Sequence, residues 1–79
     1  RMTVKLENAT LTGAITGGVL LSMDAESKWT ATADSDVVLN GDMPAGAIDA
    51  LPDVTITAKG GEALETGLPS GGKLIVHAE

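Results

Sequence analysis

The stretch from Val19 to Asp42 constrains the fold more than any other part of the chain. It consists of three short apolar segments separated by two polar corners, at 25–27 and at 34–36. From Trp29 to Ala33 every second residue is small or apolar. An alternation with a period of two is typical of β-strands, and no window of this stretch keeps the helical period of an amphipathic helix. The stretch therefore predicts short strands joined by tight corners.

The same pattern continues on both sides of this stretch. Further extended segments are expected at 3–7, 9–15, 48–51, 54–58 and 73–77, with 62–66 read as either a strand or a helical turn. Pro44 predicts a loop, because proline cannot donate a hydrogen bond to a strand ladder. The chain also carries a rough internal repeat: Thr-x-Thr occurs at Thr10/Thr12, Thr30/Thr32 and Thr55/Thr57, and the second interval is longer than the first.

A repeat of roughly 20 residues with glycine, asparagine and aspartate at the corners indicates a solenoid. We therefore expect an all-β fold: a short parallel β-helix (β-solenoid) of about four coils that occupies residues 1–79 as a single small domain. Asn8, Asn40 and the Gly-Gly pairs are expected to adopt the left-handed backbone conformations of tight corners. The alternative is an antiparallel β-sandwich, but the two-residue Asn-Gly hairpin signal occurs only at Asn40-Gly41.

The core of this chain must be thin. The sequence contains no Cys, Phe or Tyr, so the interior must come from Val, Leu, Ile, Ala, Met and Trp29. A chain of this size buries only about 60% of its unfolded surface, and the ordering entropy leaves little surplus stability. We therefore expect self-association to supply further burial. The absence of cysteine excludes disulfides and thiolate metal sites.

The charge of the chain argues against two classes of partner. Eleven acidic residues against five basic ones give a formal net charge of −6, without any Lys/Arg cluster. Such a surface repels a phosphate backbone, so we expect no nucleic acid as partner. An anionic membrane surface is disfavoured for the same reason. Because the chain has no apolar run long enough to cross a bilayer, we expect no membrane insertion.

The residues around Trp29 also resemble a known family. LENATLTGAIT followed by LLSMDAESKWTATADSDVVL is similar to the right-handed parallel β-helix repeats of bacterial surface adhesins and autotransporter passenger domains. The matching positions are Leu6, Asn8, Leu11, Gly13, Leu21, Asp24, Ser27, Trp29, Thr32, Asp34, Ser35, Val37 and Leu39, within residues 4–42. The family usually has glycine where Ala33 stands, and its members run through many more coils.

The resemblance implies a right-handed β-helical scaffold with an extracellular or cell-surface location. It also implies that Trp29 packs under a coil and that the Asp34-Ser35 corner turns the chain. It carries over no catalytic residue, because the shared motif is structural. Independently, the side chains of Ser27, Asp34 and Ser35 are expected to hydrogen-bond neighbouring backbone N–H groups. The Trp29 indole N–H is expected to reach a carbonyl oxygen.

These observations favour a non-enzymatic structural or adhesin-like module. Neither terminus reads as a capping helix, so we expect uncapped coil ends and a homo-oligomer formed through those ends or through the sides. A polysaccharide or a host or cell surface is the expected external partner. No cofactor is expected.

Two other binding functions are less well supported. A carbohydrate-binding module would use Trp29 as a stacking platform with Asp24 and Asp34 nearby, but such sites usually contain several aromatic residues. An ice-binding surface would use the Thr-x-Thr pairs, although the unequal intervals between the pairs leave them out of register. The structural explanation is that threonine is a good outward-facing strand residue.

Metal binding and catalysis are not expected. Three pairs of carboxylates could accept calcium or act as an acid and a base for glycoside cleavage: Asp24/Glu26, Asp34/Asp36 and Asp49/Asp53. No calcium-loop motif accompanies them, and no cluster of Arg, His or aromatic residues surrounds them. We interpret these pairs as solvated corners, and the lone His77 as a surface strand residue.

Overall fold

The structure is a computed structural model, which describes residues 2–41, 43 and 46–78. Within these residues the chain forms strands and no helix. The strands are β1 (Thr3–Leu6), β2 (Thr10–Thr12), β3 (Val19–Met23), β4 (Lys28–Ala31), β5 (Ser35–Leu39), β6 (Ile48–Ala50), β7 (Thr55–Lys59), β8 (Leu64–Gly67) and β9 (Lys73–His77). The loop predicted at Pro44 lies outside the described residues.

The strands form two sheets between which the chain alternates. One sheet has the order β1-β3-β5-β7-β9-β8 and the other has the order β2-β4-β6. Every pair of neighbouring strands is parallel except β8 and β9. Thr3 pairs with Leu20, 17 positions later, and Ser35 pairs with Ile56, 21 positions later, so the turns differ somewhat in length. The chain is therefore a β-solenoid of about four turns, which confirms the predicted fold class.

Most segment boundaries follow the predicted pattern. The last strand, Lys73–His77, has the predicted bounds, and the ambiguous segment 62–66 contains most of strand β8. The alternation that begins at Trp29 does not extend the strand as far as Ala33, which is exposed because β4 ends before it and the chain turns there. Asn8 has the expected positive φ, 49°. One local prediction is wrong. Asn40 does not have a positive φ, because at the corner after β5 the left-handed conformation is adopted by Gly41, with φ 82°.

The interior is narrow and follows the strand register. Trp29, Leu21 and Ile56 are the largest fully buried side chains. Inward-facing residues stack from turn to turn in the larger sheet, in the order Val19, Val37, Ala58 and Val76. Parallel strands in register place equivalent positions above one another. In this column the space between the sheets is narrow enough for valine and alanine side chains to fill it.

The C-terminal end of the solenoid is covered by its own chain. In the larger sheet, β8 pairs antiparallel with the last parallel strand, β9. In the smaller sheet, residues 68–72 lie along the edge of β6, where the N–H of Gly72 donates to the carbonyl oxygen of Ala50 at 3.0 Å. This end therefore differs from the bare coil end that the sequence led us to expect. At the N-terminal end, β1 and β2 are the edge strands of the two sheets.

The close approach at Gly72 gives a first prediction. A Cβ atom at this position would lie 2.5 Å from Ala50 Cβ, 2.7 Å from the Leu51 carbonyl oxygen and 2.8 Å from the Val54 carbonyl oxygen. Because two of these neighbours are backbone atoms, we expect Gly72→Ala to lower the free energy of unfolding by about 1–3 kcal/mol. Urea denaturation followed by circular dichroism measures this change.

Gly67→Ala is the matched control. A Cβ atom at Gly67 would meet no atom within 4 Å, and Gly67 does not have a positive φ. We expect its stability to stay within about 0.5 kcal/mol of the wild type. Equal losses for the two variants would contradict the packing of residues 68–72 against β6.

Candidate functional site

The polar residues singled out in the sequence lie at the corners of the solenoid, where they join adjacent turns. We use the term corner staple for a side chain that accepts a hydrogen bond from a backbone N–H group of the neighbouring turn. The corner staples among the described residues are Asp24, Ser27, Asp34, Ser35, Asp36 and Asp49, and each bond joins residues 16 to 21 positions apart.

The first corner connects β3 to β4. Asp24 Oδ2 accepts a hydrogen bond from the N–H of Asn8 at 2.8 Å. Ser27 Oγ accepts one from the N–H of Ala9 at 3.2 Å and donates its own proton to Asp24 Oδ1 at 2.6 Å. The hydroxyl of Ser27, assisted by the backbone N–H groups of Asn8 and Glu26, holds the pKa of Asp24 below its ordinary value. Asp24 is therefore a structural carboxylate that supports the preceding turn.

The second corner connects β4 to β5 and works in the same way. Ser35 Oγ accepts a hydrogen bond from the buried N–H of Ile15 at 3.1 Å and donates to the carbonyl oxygen of Ala33 at 2.9 Å. Asp34 Oδ1 accepts one from the N–H of Thr55, in the following turn, at 2.9 Å. These contacts confirm the corner roles predicted for Ser27, Asp34 and Ser35.

Trp29 is part of the core. Its side chain is completely buried, and its Nε1–H donates to the carbonyl oxygen of Gly13 at 2.8 Å. Both the packing under a coil and the hydrogen bond to a carbonyl are therefore confirmed. A sugar-stacking platform requires an exposed ring face, which Trp29 does not offer. Moreover, Asp24 precedes β4 and Asp34 follows it, so the structure does not gather the three residues into one site.

The threonine pairs do not lie on one face. Thr12 is the neighbour of Thr30 in the three-stranded sheet, and Thr32 follows the end of β4. Thr55 and Thr57 belong to β7 in the six-stranded sheet. The regular ladder of hydroxyl and methyl groups that an ice-binding surface needs is therefore not formed by these pairs.

The remaining candidate ligands are also dispersed. Among the described residues, no group of three or more His, Asp or Glu side chains is arranged to hold a metal ion. His77 is exposed at the end of β9. The paired carboxylates at 24/26 and 34/36 contribute instead to the two corners, where Asp24, Asp34 and Asp36 accept backbone hydrogen bonds.

The interpretation of Asp49 as part of a solvated corner is wrong, and its role was not predicted. It is 4% exposed, and its carboxylate accepts hydrogen bonds from the Ala50 N–H at 2.8 Å, the Ser70 N–H at 2.9 Å and the Ser70 hydroxyl at 2.5 Å. The Ser70 hydroxyl is the main reason that the pKa of Asp49 lies below its ordinary value. The carboxylate therefore fastens residues 68–72 to β6. An acidic residue between the core residues Ile48 and Ala50 was the available signal.

An open cleft of about 650 Å³ lies beside the C-terminal turns. Its apolar lining is contributed by Leu39, Met43, Leu64, Leu74 and Val76. Glu62 also lines the cleft, and Leu64 is 50% exposed. Because the lining comes from separate segments of the chain, the sequence pattern gave no indication of this surface.

Comparison of the chain with family models, with curated proteins and with solved structures gives no match. Of what the resemblance to adhesin repeats implies, the structure shows the β-solenoid architecture. None of the described residues forms a helix of the length and apolarity that crossing a membrane requires.

The corner staples give a second prediction. In Ser35→Ala the buried N–H of Ile15 loses its acceptor, and an unsatisfied buried donor costs about 1–3 kcal/mol. We expect the free energy of unfolding to fall by that amount, as measured by urea denaturation. Ser22→Ala is the control, because the Ser22 hydroxyl accepts from the exposed side-chain amide of Asn40, which water can solvate. If Ser35→Ala were as stable as Ser22→Ala, the proposed role of the corner staples would be wrong.

A third prediction concerns pH. The pKa values of Asp24 and Asp49 are lower in the folded chain than their ordinary value. The unfolded chain therefore binds more protons in acid, and the stabilisation is present above about pH 4 and is lost as the pH falls through the folded-state values. We expect urea denaturation to show a lower free energy of unfolding at pH 3 than at pH 7.

Asp49→Asn isolates one contribution to this pH dependence. The amide has the same shape as the carboxylate but does not titrate, so the difference in stability between pH 7 and pH 3 should be smaller in this variant than in the wild type. An unchanged difference would show that Asp49 has no part in the acid sensitivity.

Proposed function

We propose that this domain is a non-enzymatic structural or adhesin-like module, a short β-solenoid that self-associates. The observation that carries the proposal is the use of its polar side chains. Six of the corner side chains accept hydrogen bonds from backbone groups of a neighbouring turn. The chemistry of these carboxylates and hydroxyls therefore serves the scaffold, and the surface between the corners remains for contact with other molecules.

Self-association is supported by the apolar surface at the N-terminal end. Val4, Leu6 and Leu11 pack against the core, yet each is only partly buried. Met2, which precedes β1, is 72% exposed. Exposed edge strands with apolar neighbours readily pair with another chain, and a small domain with a thin core gains stability from the additional burial.

The adhesin-like part of the proposal rests on the resemblance of residues 4–42 to surface-adhesin repeats. In this proposal the domain works outside the cell or at its surface, as a rigid unit that contacts a polysaccharide or a host or cell surface. Parallel rungs joined by corner staples support it, because they hold surface residues at fixed spacing over a molecule of 27 × 26 × 22 Å.

A fourth prediction tests self-association. The chain has a mass of 7.9 kDa. We expect size-exclusion chromatography with light scattering to give a larger mass that falls toward the monomer value as the protein is diluted, because apolar edges are exposed in the monomer. The monomer mass at every concentration, up to the millimolar range, would contradict the proposal. Circular dichroism at each concentration controls for unfolding.

A further inference from the structure

The two ends of the solenoid differ in how their strand edges are covered. At the C-terminal end, β8 covers β9 and residues 68–72 cover the edge of β6. At the N-terminal end, β1 and β2 each have a strand neighbour on one side only. Within the described residues, the N-terminal end is therefore open in both sheets. At the C-terminal end β8 is still an edge strand of the larger sheet, whereas residues 68–72 cover the edge of the smaller sheet.

The hydrogen-bond pattern shows which backbone groups of β1 face the open side. The N–H of Leu20 donates to the Met2 carbonyl oxygen, and the N–H of Asp24 donates to the Leu6 carbonyl oxygen. Because the direction of backbone groups alternates along a strand, the N–H and C=O groups of Thr3 and Lys5 point away from β3.

The same alternation applies to β2. The N–H of Lys28 donates to the Ala9 carbonyl oxygen, and the N–H of Gly13 donates to the Thr30 carbonyl oxygen. The backbone groups of Thr10 and Thr12 therefore point to the open side. Both sheets can thus be extended at the same end of the molecule.

The inward-facing side chains at this end lack a covering layer. Val4 and Leu6 stand in register with Leu21 and Met23 of the next turn, and Leu11 stands in register with Trp29. In an interior turn the equivalent residue, such as Trp29, is covered by turns on both sides. In the first turn Val4, Leu6 and Leu11 are covered on one side only and are half-buried.

We infer that a second copy of this chain covers the N-terminal end, related to the first by a two-fold axis perpendicular both to the solenoid axis and to the terminal strands. This inference rests on the proposed self-association and specifies its surface. The two-fold rotation reverses the strand direction, so the terminal strands of the two copies meet antiparallel, as β8 and β9 do within one chain. The contact uses the same surface on both copies and closes as a dimer.

The C-terminal end is the less suitable partner for this surface. In the smaller sheet the β6 edge is held by residues 68–72 through the Gly72–Ala50 backbone bond and the bonds between Asp49 and Ser70. A head-to-tail contact could therefore continue only the larger sheet. A contact between two N-terminal ends continues both sheets.

Charge and area are compatible with such a dimer. Residues 2–18 carry only Lys5 and Glu7, which form an ion pair at 3.6 Å, so this segment has no net charge in a chain with a net charge of −6. The acidic excess lies outside the segment, so two copies of it meet with little repulsion between them. A face bounded by any two of the dimensions 27, 26 and 22 Å has an area of roughly 600–700 Å², so a contact that covers it would bury roughly 1,200 Å² in total, the lower end of the range for stable complexes.

Proline variants test this surface. Thr3→Pro and Thr12→Pro each remove an N–H donor on the open edge without removing a bond to β3 or β4, and edge strands tolerate proline when the N–H faces outward. We expect light scattering to give a dimer for the wild type, and at least a tenfold weaker dimer for each variant.

Glu65→Pro is the matched control at the other end. The bond from the Leu68 N–H to the Gly72 carbonyl oxygen and the β8–β9 register place the backbone groups of Glu65 on the outer edge of β8. This variant should dimerise like the wild type. Circular dichroism and the fluorescence of buried Trp29 establish that all three variants are folded.

Two single-cysteine variants distinguish a two-fold contact from a head-to-tail contact, since the natural chain has no cysteine. With a short bifunctional maleimide, Lys5→Cys alone should crosslink into a dimer, whereas Glu65→Cys alone should not. Crosslinking only when the two variants are mixed would show a head-to-tail contact and overturn this inference while leaving self-association intact. If Thr3→Pro and Thr12→Pro formed oligomers as strongly as the wild type, this inference would also be overturned and self-association would remain. A strict monomer would overturn both proposals.

Discussion

The fold depends on hydrogen bonds that join each corner to the turn beside it. The strands are short, so the ladders between them contain few bonds, and much of the backbone lies at corners. Corner N–H groups such as that of Ile15 are buried and have no strand partner. Ser35 supplies the acceptor for this group from 20 positions away. Because an unsatisfied buried donor is costly, these side chains set how successive turns stack.

The corner bonds also explain why the core can be so thin. With turns held in register at their corners, the interior needs only short aliphatic side chains that stack along the solenoid axis. Trp29 is the one large exception: its ring is fully buried and its indole nitrogen is satisfied by Gly13. The narrowness has a second consequence at Gly72, where the backbone approaches Ala50 too closely for any side chain.

The two ends of the solenoid differ in the contacts that cover their outermost strands. At the C-terminal end the chain turns back on itself, and Asp49 holds the returning segment through Ser70. At the N-terminal end the strand edges and the apolar residues Val4, Leu6 and Leu11 are only partly covered. The proposed self-association follows from this asymmetry, because residues 68–72 cover the β6 edge at one end, whereas the edges of both sheets are free for a second copy at the other.

The resemblance to adhesin repeats implied the burial of Trp29. Local pattern was sufficient to predict most of the strands, the solenoid class and the corner roles of Ser27, Asp34 and Ser35. Each of these depends on features that recur along the chain: a period of two within strands, and polar residues at intervals near one turn. The sequence by itself therefore determined where the chain extends and where it bends.

The tertiary structure alone decided the direction of β8, the exposure of Ala33 and the function of Asp49. A short and mostly exposed segment such as β8 is compatible with either sheet and with either direction. It pairs antiparallel with β9 in a chain whose residues 68–72 already occupy the edge of β6. Asp49 is covered only when Ser70, 21 positions away, is brought against it. Such contacts depend on which hydrogen-bonding edges remain free after the turns have stacked, and that information is not local to any segment.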